Sequence, residues 1–112
     1  MTVATKFLPL SESTAYVLGS LLEGPKHGYA ISKAVERMSG GAVRVAIGNL
    51  YITLRRLLEQ GLIEREGDEE DVGERRKVYR ISALGQTVVR EDLARVRRRV
   101  EATTQLRPEL SG

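Results

Sequence analysis

Cysteine is absent from the 112 residues, which excludes disulfides, thiolate catalysis and cysteine-ligated zinc or iron–sulfur sites. Histidine occurs once, as His27, so a multi-histidine metal centre is excluded unless subunits share it. Tryptophan is absent and aromatic residues amount to 4%, so the core has to be aliphatic. No apolar run approaches the roughly 18 residues that cross a bilayer, and no basic-then-apolar signal opens the sequence. These absences make a cytoplasmic protein with no membrane partner the expectation. No nucleophile–base pairing, metal set or phosphate-cradling glycine loop is recognisable, so neither an enzyme nor a cofactor is expected.

What is present suits one folded domain: 41% hydrophobic and 29% charged residues, with about two thirds of the chain's surface buried on folding at this size. The net charge of +3 conceals blocks. Residues 64–74 hold seven acidic side chains and one basic, whereas residues 75–80 hold Arg75, Arg76, Lys77 and Arg80 and no acid. Such a switch suits a hairpin whose tip and return strand meet different surroundings, or a loop that is simply solvated.

Hydrophobic spacing predicts the elements. Residues 1–10 form a short arm. Ser11 caps a first helix, with Val17, Leu18, Leu21 and Leu22 on one face, that ends at Gly24-Pro25. A second helix runs from about Gly28 to Met38 and stops at Gly40-Gly41, and Ala42 to Ala46 form a connector or a brief strand. A third helix spans about Ile47 to Gln60, with Leu50, Leu54, Leu57 and Leu58 inward and Gly61 behind it. The period then changes to that of strands, over Leu62–Glu66 and Arg76–Ile81, joined by an acidic loop from Gly67 to Gly73. Ser82 caps a last helix from Ala83 to about Gln105, where Val89, Leu93, Val96 and Val100 alternate by four and three like a heptad seam. Arg107-Pro108 begins a frayed tail.

Three helices, a β-hairpin and a further helix describe a mainly α fold, a winged helix-turn-helix with a C-terminal dimerisation helix. Its parts are an arm (1–10), the winged domain (11–82), the dimerisation helix (83–106) and a flexible tail (107–112). On the third helix, Ile52, Arg56 and Glu59 lie opposite the buried face, Asn49 and Arg55 beside them, and Tyr51 and Thr53 on the flanks. The first turns of such a helix meet base edges in the major groove, where Asn pairs with adenine and Arg with guanine or a phosphate. An ordinary solvated helix face is the plain alternative. Tyr51 suits the core edge as well as a phosphate. Lys26 and His27 stand before the second helix, where His27 either caps the helix or contacts a phosphate beside the amides of Gly28 and Tyr29. Arg75, Arg76 and Lys77 suit phosphate contact from the return strand.

Several motifs are more specific: Gly24 to Tyr29 as Gly-Pro-x-His-Gly-Tyr, Gly48-Asn49-Leu50-Tyr51 as G-x-L-Y, and Arg75 to Arg80 as Arg-Arg-Lys-x-Tyr-Arg. From about Leu10 to about Val100 the sequence resembles the PadR family of transcriptional regulators. The resemblance implies a DNA-binding repressor in a short form that dimerises through one C-terminal helix. It departs from the family's pattern at Ala46-Ile47, Asn49 and Ile52, all at the reading end of the third helix, so the target sequence is not carried over. Some short members sense flat hydrophobic compounds through aromatic residues of the last helix. That helix has no aromatic here, and a small-molecule inducer is not indicated.

The expected partners are therefore double-stranded DNA and a second copy of the chain, reading a palindromic operator with two helices about 34 Å apart. The competing reading is a winged-helix protein-interaction module without DNA readout, which would not need the basic reading face.

Overall fold

The computed structural model describes residues 3–66 and 77–111, and serine hydroxyls cap two of its helices. Helix α1, Glu12–Ser20, starts where Ser11 Oγ accepts from the Thr14 amide at 3.2 Å. It ends earlier than its apolar spacing predicts. The chain tightens into a 3-10 turn over Leu21–Glu23, and Gly24, at φ 138°, releases it into Pro25. Strand β1, Lys26–His27, leads directly into α2, Gly28–Met38. The segment 42–46 forms no strand and is the connector of the two sequence-based options. Ser39 Oγ accepts from the Val43 amide at 2.9 Å, and Ser32 Oγ donates to the Val45 carbonyl at 3.4 Å, fixing its path toward α3.

Helix α3, Ile47–Glu59, closes with Gly61 at φ 74°, the Leu62 amide donating to Leu57 O at 3.0 Å and the Gly61 amide to Leu58 O at 3.1 Å. This is the paired closure that a left-handed glycine permits. Strand β2, Ile63–Glu66, pairs antiparallel with β3, Val78–Ile81, in the register Ile63 with Ile81 and Glu66 with Val78. On its other edge β3 takes β1, giving the order β1-β3-β2. The acidic loop, with Arg75 and Arg76, lies outside the described residues. Helix α4, Ala83–Leu106, starts at Ser82, whose Oγ accepts from the Gly85 amide at 3.0 Å and donates to the Gly61 carbonyl at 2.6 Å. One hydroxyl thus joins the end of α3 to the start of α4. A Cβ at Gly85 would stand 2.1 Å from the Leu62 carbonyl oxygen, so only glycine lets α4 enter this close.

The core is aliphatic, as the scarcity of aromatics requires: Leu18 from α1, Ile31 and Val35 from α2, Leu50, Leu54 and Leu57 from α3, and Val88 from α4 are all buried. Tyr79 of β3 is the aromatic side chain buried among them. Around this core stands a mostly helical winged fold with a small three-stranded antiparallel sheet.

Both ends of the chain depart from the expected arm and frayed tail. Val3–Phe7 is a 3-10 turn that packs on α4 with Ala4 buried, and the Leu10 amide reaches Asp92 Oδ1 at 3.4 Å. Pro108–Ser111 forms another 3-10 turn beside α4. There Arg107 pairs with Glu109 and holds its carboxyl below the usual carboxylate range.

Candidate nucleic-acid interface

The starts of α2 and α3 and the outer end of β3 are brought together by two contacts. Tyr51, half-buried on the second turn of α3, packs so closely on α2 that its hydroxyl lies 2.9 Å from where a Gly28 Cβ would be. A larger residue at 28 would have to displace the Tyr51 ring, and Tyr51 belongs to the core edge. The second contact is the β1–β3 pairing, which sets His27 opposite Val78 and leaves Lys77 next to it along the strand.

Side chains on this side differ in how free they are. Asn49 and Arg55 are exposed, and neither has an ion pair or side-chain hydrogen bond among the described residues. Ile52 is 62% exposed and Tyr29 65%, although both are large apolar groups, and Thr53 is half-buried. Lys26 has only 16% of its side chain exposed and pairs with Glu23 at 3.6 Å, so part of its charge is already answered. His27 holds the N-cap position of α2 without a side-chain hydrogen bond to the helix, which removes the capping role from its two expected roles. Lys77 is half-buried at the root of β3.

Arg56 stands apart. Its Nη2 donates to Thr14 Oγ1 at 2.9 Å, so the guanidinium is turned toward α1, two turns along α3 from Asn49. Lys33 joins the group without having been singled out from sequence. Its ammonium stands 5.4 Å from the centre of the Tyr29 ring, one turn along α2. The Tyr29/Lys33 spacing of four was the available signal.

The predicted seam of α4 divides in the structure. Val89 is 8% exposed and belongs to the chain's own core, whereas Leu93 is 53% and Val100 51% exposed, with Val96 between them half-buried. Leu93 and Val96, with Leu10, Tyr16, Leu22 and Met38, line a groove of about 750 Å³ between α1, the end of α2 and α4. Asp92 and Arg95, paired at 2.9 Å, stand in its wall.

The model of the transcriptional regulator PadR-like family matches residues 17–91, more than half of the chain, from the second half of α1 through β3 into the first part of α4. The chain belongs to that family. Its members are transcriptional regulators rather than enzymes. A transcriptional regulator from Clostridium thermocellum is 25% identical and superimposes with a TM-score of 0.68, covering 83% of this chain and 87% of that one. RosR of H. salinarum is 26% identical, with a TM-score of 0.65 over 88% of this chain and 94% of its own. Bacillus subtilis PadR, solved in complex with operator DNA, is 21% identical with a TM-score of 0.60, covering 71% of this chain and 45% of the other. That last likeness concerns the fold alone. In this PadR-like chain, no described helix is long and apolar enough to cross a membrane.

Proposed function

We propose that the chain is a sequence-specific regulator of double-stranded DNA, a repressor that reads a palindromic operator as a homodimer. The observation that carries this reading is the outward face of α3. Its first three turns offer Asn49, Ile52 and Arg55 to solvent, Asn49 and Arg55 with no side-chain partner among the described residues, in a winged fold whose neighbouring helix adds Tyr29 and Lys33. Asn49 and Arg55 contact bases or the adjoining phosphates, with Ile52 and Thr53 between them. Lys26, His27, Tyr29 and Lys77 contact the sugar–phosphate backbone and set the register, and the sequence-predicted phosphate contacts Arg75 and Arg76 lie outside the described residues. Tyr51 supports this face by holding α2 against α3, and Arg56 supports it by tying α3 to α1.

The dimer rests on the second half of α4. Leu93, Val96 and Val100 are covered by the same face of a second copy, a self-complementary two-fold contact, while Val89 of the expected seam stays in the chain's own core. A two-fold axis there sets the two α3 helices on successive major grooves, which asks for an inverted repeat.

Selection of bound fragments from a random duplex pool at low salt, read by sequencing, tests both parts. An inverted repeat should be enriched, and its affinity should fall steeply with added salt as phosphate contacts are screened. Retention of no duplex, together with salt-insensitive capture of a protein, overturns the reading in favour of an interaction module. Sedimentation at micromolar concentration that finds only a 12.4 kDa monomer, still binding the repeat tightly, overturns the dimer.

A further inference from the structure

Ile52 sits at the centre of the outward face of α3, about 200° around the helix from the buried Leu50. It is 62% exposed, and packing within the chain gives no reason for a branched aliphatic group there. One turn earlier on the same line is Gly48. Its backbone is an ordinary part of the helix, not the left-handed kind, and a Cβ built on it meets nothing within 4 Å. Gly85 is held to glycine by the Leu62 carbonyl and Gly28 is crowded by the Tyr51 ring, whereas Gly48 meets no such contact. Helical side chains lean toward the N-terminus, so Ile52 reaches back over the bare backbone of Gly48. The two form an apolar step open to solvent, with Gly48 as floor and Ile52 as wall. Asn49 is exposed beside it, and the stretch from Ile47 to Leu54 contains no acidic residue. Lys33 and Arg55 supply positive charge nearby, which suits an anionic polymer.

Among the base edges in a major groove, thymine alone carries a methyl group, and a carboxamide pairs in bidentate fashion with adenine. Resting on the reading of α3 as the helix that enters DNA, we infer that Ile52, above the bare Gly48, reads the 5-methyl group of a thymine. Asn49 takes the adenine edge of that pair or the next. Each half-site then contains an A·T pair specified by direct contact, and the missing side chain at 48 is a condition of that contact.

The test uses the duplex that the wild-type chain selects from a random pool, and copies in which deoxyuridine replaces one thymine per half-site, removing only the methyl. At one position the wild type should bind the uracil duplex about ten- to twentyfold more weakly, since two methyls are lost, one per half-site, each worth about three- to fivefold. Ile52→Ser, at an exposed site, should keep the wild-type melting temperature and bind the two duplexes alike. Gly48→Ala should melt at the same or a higher temperature, since alanine is the better helix former, yet lose the preference for thymine because its Cβ occupies the step. Equal binding of thymine and uracil duplexes at every position overturns the inference, as does discrimination retained by Ile52→Ser. In both cases the duplex is still bound and the broader reading stands. Retention of no duplex at all overturns both.

Discussion

The two halves of α4 share an apolar spacing but differ in charge and in surroundings, with one arginine from Ala83 to Ala94 and four from Arg95 to Leu106. From Ala83 to Asp92 the helix buries Gly85, Val88, Val89 and Asp92, packing on α1, the arm and the Leu62 backbone just after α3. From Arg95 onward it buries no residue, and Val100 and Leu106 are 51% and 80% exposed. Both halves carry apolar residues at heptad-like spacing, so the pattern does not distinguish them. What does is whether the rest of the chain can reach. The core is complete by Val88 and Val89, and the helix continues past it with an apolar stripe that has nothing of its own to cover. A half-helix packed on one chain is part of the fold. A half-helix projecting from it is offered to something else, since short unpacked helices are marginal in water.

The sharpest way to break this comparison is Gly85→Ala. The new Cβ would collide with the Leu62 carbonyl, a backbone atom that Ser82 and the end of α3 hold in place. The expected loss is about 3 kcal/mol or more, the upper range for overpacking, read as a lowered urea midpoint. A variant as stable as wild type would mean that the first half is docked less tightly than described.

Next comes a pair of valines. Val88→Ala should cost about 2 kcal/mol, from the lost burial and the cavity left behind. Val100→Ala should leave the unfolding free energy of the monomeric chain within about 0.5 kcal/mol, while shifting the sedimentation profile toward monomer. Equal thermal destabilisation by both changes, independent of protein concentration, would erase the distinction between the halves.

An effect smaller than that of Val88→Ala is expected at the boundary. Asp92 accepts from the Leu10 amide and from Arg95, so Asp92→Asn keeps an acceptor for the arm and loses the charge partner of Arg95. A loss of about 1 kcal/mol is expected from denaturant unfolding, within the range of hydrogen bonds to charged groups after solvent screening.

Several features of the molecule follow from the sequence because they are local. Ser11 and Ser82 precede apolar helical repeats, and each hydroxyl caps its helix. Gly61 follows the Leu50, Leu54, Leu57 stripe and closes α3 with a positive φ. Strands at Ile63 and Val78 are announced by the change from a period near four to a period of two. The motif from Gly24 to Tyr29 and the G-x-L-Y at Gly48 were enough to suggest the family.

Tertiary structure decided what depends on neighbours far away in the chain. Two residues are too few to show a period, so Lys26–His27 becomes a strand only because β3 lies beside it. The arm lacks a long apolar repeat, and it is ordered by the surface of α4. A helical wheel puts Arg56 on the same outward side as Ile52, yet Thr14 on α1 captures its guanidinium, because the wheel has no neighbouring helix in it. Tyr51 fitted two environments until Gly28 supplied the gap that it fills. Val89 belongs to a seam by spacing and to the core by packing, since only the folded chain fixes how far along α4 its own contacts extend. Periodicity specifies which face of an element is apolar. Where that face ends up, and what remains to cover it, is settled by the contacts between elements.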